Sequence, residues 1–287
     1  MDYKVLSWTD GRHWQFPINL NTFEQLLGRP STTEEMERTL AEWRVPIAAP
    51  QNSEEVIISQ VGRRLYEMFF KNYTRKQWQR DPSELDASVC GRIPIRTNRD
   101  DRFVSDKFQA LPKDGYTAMF GKMLAHPKIE VQLNTDYCDA RKQVQFRRLI
   151  YTGPVDEYFD HCFGPLPYRS IRFEEETLPV EYHQPAMQVN YPNDYDFTRV
   201  VEMKHATGQK LPVTTIVREF PQEYGPGHEP YYPIPAPDAR AHYERYAALA
   251  AQETGVSFVG RLATYRYYNM DQIVGMALAE FEKFPPI

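Results

Sequence analysis

The chain has 287 residues, 41% hydrophobic and 25% charged, a globular composition long enough for two or three subdomains around a large buried interior. Its 39 acidic residues outnumber 34 basic ones for a formal net charge of −5, so no overall positive field is present to hold nucleic acid. No apolar run reaches the roughly 20 residues of a bilayer helix, and the opening Met1-Asp2-Tyr3-Lys4 lacks the apolar stretch of a secretion signal, so a cytoplasmic protein without a membrane span is expected.

In chain order, Tyr3 to Leu20 carries Trp8, Trp14 and Phe16 around Asp10-Gly11, a pattern for a short hairpin that bends at that pair. Ser31 followed by Glu34 predicts a capping box, and Met36, Leu40 and Trp43 recur at helical spacing up to Pro46. Asn52 with Glu55 predicts a second box, from which Val61, Leu65 and Phe69 continue one apolar stripe to Asn72. From Ala87 to Pro112 the pattern dissolves into Arg and Asp broken by Pro94, which reads as an exposed loop followed by extended chain. A short helix is expected from Tyr116 to Ala125, then a strand over Ile129–Leu133, whose apolar residues alternate, and a short apolar strand at Leu149–Tyr151 that runs into Thr152-Gly153-Pro154.

Tyr168 to Phe220 holds several β-rich pieces, notably Val213–Val217, and favours an antiparallel sheet. Pro230 to Pro235 reads as an ordered extended loop. Asp238 is expected to begin a helix with Tyr243, Tyr246, Ala247 and Ala250 on one face and Gly255 at its end. Val256–Val259 then forms a strand, Gly260-Arg261 turns it, and Asn269 to Gln272 cap a helix that passes Ala277 and Phe281 to Pro285. No repeat and no low-complexity segment interrupts this order.

Several chemistries are absent by inspection, because the chain has no GxxxxGK[ST], HExxH, GxSxG or EF-hand spacing. GxGxxG is also missing; Gly225-Pro226-Gly227, the nearest approach, is followed by Pro230 where the third glycine belongs. Cys90, Cys138 and Cys162 are odd in number, never spaced as CxxC, and read as reduced thiols, while His161 beside Cys162 lacks the further partners of a metal site, so no metal is expected. Glycine turns at Gly153 and Gly260 feed helix N-termini and present N–H groups suited to an anion, though ordinary α/β turns look the same. Tyr73-Thr74-Arg75-Lys76-Gln77-Trp78 is basic and aromatic together, able to stack a base and hold a phosphate or simply to end a helix with a cationic face. Arg92 and Arg199 offer bidentate guanidinium donors near turns, with surface ion pairs as their plainer role.

Gly260-Arg-Leu-Ala-Thr-Tyr-Arg-Tyr-Tyr-Asn-Met-Asp-Gln272 closely resembles the C-terminal signature of the UDP-galactopyranose mutases. Pro17–Thr22, Tyr73–Trp78, Asp81–Asp86, Arg92–Arg96, Tyr151–Asp156, Asn190–Asp194 and Glu229–Pro233 follow that family's order and spacing. The resemblance spans essentially the whole chain. It implies a flavoprotein that interconverts UDP-galactose in its pyranose form with UDP-galactofuranose through a covalent adduct at N5 of reduced FAD, supplying furanose for cell-surface glycans. It implies an α/β (α+β mixed) fold, with a partial Rossmann-like FAD-binding domain, a helical domain and an antiparallel β-sheet domain. In this reading residues 1–19 lead the sheet domain, 20–86 form the helical domain with the UDP-binding segment, and 87–144 the mobile loop and sheet domain. Residues 145–165 form part of the FAD-binding domain, 166–237 the antiparallel sheet domain, and 238–287 the C-terminal part of the FAD-binding domain.

Residue by residue, the resemblance places Tyr73 on uracil with Thr74 beside it, Trp78 near the mobile loop, and Arg92 and Arg199 as a clamp on the diphosphate. Tyr232 and Tyr267 match tyrosines that reach the diphosphate, and Asn190 and Asn269 match positions near the galactose. Thr152, Gly153, Gly260, Arg261, Met270, Asp271 and Gln272 match flavin-site positions. Phe103 stands where a tyrosine is usual, removing one hydroxyl contact, and Asn269 stands where many members have Asp. The front of the family, a strand, GxGxxG, an acidic residue and a histidine-bearing segment, has no counterpart, roughly its first quarter. A homodimer is expected by resemblance; the competing readings are a flavin-free UDP-sugar binding module, a decayed remnant, and a fragment or half of a split mutase that pairs with a separate N-terminal flavin-domain segment.

Overall fold

The computed structural model describes residues 3–284. The expected hairpin forms from β1 (Val5–Thr9) and β2 (Arg12–Phe16). Asp10 and Gly11 both take left-handed backbone, φ 53° and 72°, as a two-residue turn matched to strand twist requires. Helix α1 (Leu20–Leu27) is capped by Asn19, whose side-chain oxygen accepts from the backbone of Asn21 and Thr22. Helix α2 (Thr33–Trp43) starts one residue later than expected: Thr32, not Ser31, caps it through the Glu35 amide, and the Ser31 hydroxyl donates to the Glu35 carboxylate instead.

Helix α3 (Ser53–Tyr66) starts at Asn52 as expected, with the side-chain oxygen taking the Glu55 amide at 2.9 Å. It does not run straight to Asn72. Gly62 sits inside it at φ 78°, and Glu67–Lys71 form a π-helical turn before α4 (Asn72–Trp78). Glycine is required at the break, because a Cβ on Gly62 would lie 2.3 Å from the Trp43 carbonyl oxygen. A 3₁₀ turn (Pro82–Glu84) and α5 (Ser88–Gly91) follow. The segment expected as an exposed loop is instead partly folded back, with Ile93, Ile95 and Phe103 packed on the helical core. That core joins Val5, Trp14, Phe16 and Ile18 of the hairpin region to Met36, Leu40, Ile57, Val61, Leu65, Phe69 and Phe70, each such side chain contributing about 1.5–3 kcal/mol by burial.

Next come α6 (Gly115–Leu124) and α7 (Tyr137–Gln143), the latter unanticipated, then β3 (Leu149–Tyr151) and α8 (Val155–Tyr158). The strand expected at Ile129–Leu133 is not formed. Alternation supplies a face but not a ladder, and no neighbouring strand among the described residues accepts its hydrogen bonds; Ile129, Val131 and Leu133 stay exposed. The sheet continues with β4 (Tyr168–Leu178), β5 (Gln188–Asn190), β6 (Arg199–Val201), the short α9 (Lys204–Thr207) and β7 (Thr214–Glu223). From one edge its strands run β2-β1-β5-β6-β7-β4, and β1 and β5 depart from the antiparallel expectation by pairing parallel. Chain far apart in sequence is brought together by that pair, so no short turn constrains its direction.

Within the proline-rich segment Tyr232–Pro233 forms β8, antiparallel to Tyr168 and Arg169 of β4. Helix α10 (Pro237–Ala250) begins one residue before Asp238 and ends at Ala250, ahead of the expected stop at Gly255, which instead turns the chain into the next strand at φ 77°. Strand β9 (Val256–Phe258) pairs parallel with β3, and α11 (Met270–Phe281) opens on the expected Asn269/Gln272 capping box. Pro285, the expected end of that helix, lies outside the described residues. The chain divides into two compact units, one of residues up to Thr117 with Ile171–Gln222, the other of Ala118–Ser170 with the residues from Glu223 on.

Candidate functional site

In the first unit, a row of polar side chains crosses four strands. Ser7 of β1 pairs with Asn190 of β5, Asn190 with Arg199 of β6, and Arg199 with Glu219 of β7. Direct register partners project from one face, so the four stand side by side. Arg199 donates from Nε to Glu219 Oε2 at 2.6 Å, an ion pair that orients the planar guanidinium. Asn190 is 8% exposed, and the buried Ser7 hydroxyl has no hydrogen-bond partner among the described residues.

Helix α4 is tied to this face by the loop that separates Asn190 from Arg199. Lys76 Nζ donates to the carbonyls of Tyr191 at 2.6 Å and Asp194 at 2.8 Å, and Asn72 donates to Asn193 Oδ1 at 2.9 Å. Asn193 in turn donates to Thr9 Oγ1 at 2.7 Å and the Met68 carbonyl at 3.0 Å, joining the end of β1 to the π-helical turn. Burial lowers the Lys76 ammonium to about 8, against the opposing pull of Asp194 and Asp196. The Tyr191 phenol is pushed up by the same loss of water.

The expected nucleotide residues fall in different environments. Tyr73 is half-buried on α4, whereas Trp78 is buried. Thr74 is also buried, its hydroxyl 3.5 Å from the Cys90 sulfur, and burial raises that thiol. Arg92 is exposed at the C-terminal end of α5 and donates from Nε to the Val89 carbonyl. Phe103 joins the core, its ring 5.5 Å from Tyr3 and 6.3 Å from Phe16. The structure therefore brings Asn190 and Arg199 together on one face, while the Thr74 hydroxyl meets Cys90, Trp78 is buried and Phe103 packs on the core.

In the second unit, Arg261 is the centre of a separate cluster. It donates to the carbonyls of Tyr231 at 3.0 Å and Tyr268 at 2.5 Å, and its guanidinium lies 5.6 Å and 4.6 Å from the rings of Tyr232 and Tyr267. Those two rings are themselves 5.5 Å apart, so three expected site residues do converge here. Thr152-Gly153 and Gly260-Arg261 follow the carboxyl ends of the parallel strands β3 and β9, where open α/β sheets hold their ligands. Gly260 takes φ 100°, a backbone that favours glycine, and Val259 hydrogen-bonds back to the Tyr151 carbonyl at 3.0 Å. Asn269, Met270, Asp271 and Gln272 form the exposed start of α11, with the Asn269 amide held by Gln272 Oε1 at 2.9 Å.

One relay was not readable from sequence: Tyr3, Gln188 and Asn190 are joined by side-chain hydrogen bonds, the first of them across 185 positions. No group of three or more metal-binding side chains occurs among the described residues, and no helix there is long and apolar enough to cross a membrane.

The polar sheet row tied to an aromatic helix in the first unit, and the guanidinium held between tyrosines in the second, each have a composition suited to a polar, anionic group. Residues 68–267 match the UDP-galactopyranose mutase family, a span that contains Tyr73, Arg92, Asn190, Arg199, Tyr232, Arg261 and Tyr267. A probable UDP-galactopyranose mutase of Klebsiella pneumoniae is 34% identical over 283 residues, covering 98% of this chain and 73% of that protein. A dTDP-fucopyranose mutase of Escherichia coli is 34% identical over 276 residues, covering 93% and 73%. A crystal structure of reduced UDP-galactopyranose mutase superposes with a TM-score of 0.64 over 93% of this chain and 74% of that one; at 16% identity this shows the fold. The chain belongs to the UDP-galactopyranose mutase family, and by that membership is an isomerase.

Proposed function

We propose that this chain takes UDP-galactose as substrate and interconverts its pyranose and furanose forms. The observation that carries the reading is the Asn190–Arg199 pair, a neutral amide beside an oriented guanidinium on one strand face, inside the family match. Arg199 would meet the diphosphate and stabilise charge as the nucleotide departs, with Arg92 as its second cation. Tyr73 would stack on uracil, Asn190 would hold the sugar, and the Tyr232 and Tyr267 hydroxyls would reach the diphosphate. Galactofuranose for surface glycans would be the product's use, in the cytoplasm and by a homodimer.

FAD is the cofactor this reading requires. The residues at the carboxyl ends of β3 and β9 fit one edge of such a group: glycine backbone at Gly153 and Gly260, the Arg261 guanidinium, and the exposed N-terminus of α11 at Met270, Asp271 and Gln272. When bound in reduced form the flavin would supply the nucleophile of the reaction.

The test has two readouts. Calorimetric titration with UDP should give binding that weakens about tenfold or more in Arg199→Ala, and chromatography should show UDP-galactofuranose converted only after FAD is added and reduced with dithionite. Absence of UDP binding would reject the nucleotide reading. Faster turnover of dTDP-fucopyranose than of UDP-galactopyranose would reassign the substrate.

A further inference from the structure

We infer that Gln188, with Tyr3 behind it, is a positioning residue that sets the amide of Asn190 so that its N–H groups, and not its carbonyl, face the hydroxyls of the bound sugar. Strand alternation puts Gln188 and Asn190 on one face of β5, while Val189 points to the other and packs with Leu6 and Ala186. The Tyr3 hydroxyl donates to Gln188 Oε1 at 2.6 Å. With that oxygen engaged, Gln188 presents its Nε2 and donates to Asn190 Oδ1 at 2.8 Å.

The relay therefore has a direction, from phenol to amide to amide. Asn190 Oδ1 is occupied, and its Nδ2 makes no hydrogen bond among the described residues. Both amides are nearly buried, at 5% and 8% exposure, where water cannot compensate a reversed group. Turning Asn190 over would set its Nδ2 against the Gln188 Nε2, two donors face to face, and leave both without an acceptor. Beside Asn190 in the row stand Arg199, also a donor, and Ser7. The resulting surface offers donors to a ligand rich in acceptor oxygens, which is the character of a sugar diphosphate.

This inference rests on the reading of Asn190 as a sugar contact, and the experiment separates the two. Affinities for UDP and for UDP-galactose are measured by calorimetry on the full chain and on Gln188→Leu, Gln188→Glu, Tyr3→Phe and Asn190→Ala, with thermal melting to confirm that each variant is folded. Gln188→Glu is informative because a carboxylate still accepts the Tyr3 hydroxyl but turns the Asn190 N–H groups toward itself. In both Gln188 variants the affinity for UDP-galactose should fall about tenfold relative to that for UDP, and by about threefold in Tyr3→Phe. In an Asn190→Ala background, Gln188→Leu should bring no further loss. If Asn190→Ala lowers the ratio of the two affinities and neither Gln188 variant does, the positioning role is wrong. If Asn190→Ala leaves the ratio unchanged in a chain that binds UDP-galactose, Asn190 is not a sugar contact and the inference falls with it.

Discussion

Asn190 on β5 and Arg199 on β6 are direct register partners, so an amide and a guanidinium rise together from one face of the sheet. The pairing is made by three-residue strands, each held on both sides, and the loop between the partners is pinned to α4 by Lys76. Positioning of these two groups thus comes from the ladder and not from flexible chain.

Arg199→Lys should rescue little of what Arg199→Ala loses. An ammonium is a point charge, whereas the guanidinium engages Glu219 through Nε and has the planar fork shape that matches the oxygens of a diphosphate. UDP titration of both variants is the check, and near wild-type affinity for the lysine variant would show that charge alone suffices.

Lys76 makes stability depend on pH in the alkaline range. Folding lowers its ammonium from 10.5 to about 8, so between those values the unfolded chain holds a proton the folded chain has released. Stability from this group therefore rises with pH from about 8 to 10.5. Urea midpoints across that range should show the increment in the wild type and lose it in Lys76→Met.

Glu202 acts at the acid end. Burial alone would raise its carboxyl, but the Thr214 hydroxyl and the His183 and Gln184 amides outweigh that and hold it below 4.5. Its contribution is complete above that value and is lost as the pH falls through the lowered one. Glu202→Gln should cost about 1–3 kcal/mol at pH 7 by denaturant melts, with a smaller difference from wild type in acid.

Gly62→Ala should be among the more damaging single changes in the helical core. The new methyl would enter a left-handed backbone at φ 78° and meet the Trp43 carbonyl, so about 2 kcal/mol or more of stability should go. An unchanged melting temperature would mean the kink relaxes freely.

Surface changes on α11 should cost far less. None of its residues is buried, with Val274, Leu278 and Phe281 all more than half exposed, so Val274→Asp or Leu278→Lys should shift stability by no more than about 0.5 kcal/mol. Phe70→Ala, from the core, should cost about 3–5 kcal/mol.

What the sequence disclosed follows from how local each cause is. Asp10-Gly11 and Asn52 act within four residues of themselves, and the hairpin and the start of α3 were legible for that reason. Ser31 and Thr32 compete for one cap, and the choice between neighbouring hydroxyls depends on which backbone turns first. Ile129–Leu133 alternates like a strand, yet a strand exists only with a partner. Most distant of all, the bond from Tyr3 to Gln188 depends on the parallel β1–β5 pairing, which leaves no mark in either segment alone.

The π-helical turn at Glu67–Lys71 adds a residue to the path between the core stripe of α3 and the aromatic end of α4. In an α-helix one residue is about 100° of rotation, so this turn dials which residues of α4 look inward. With it, Thr74, Gln77 and Trp78 face the interior and Tyr73 sits at the boundary. Removing a single residue from that turn would swing Tyr73 round the helix by about a quarter circle, altering the site without changing any of its side chains.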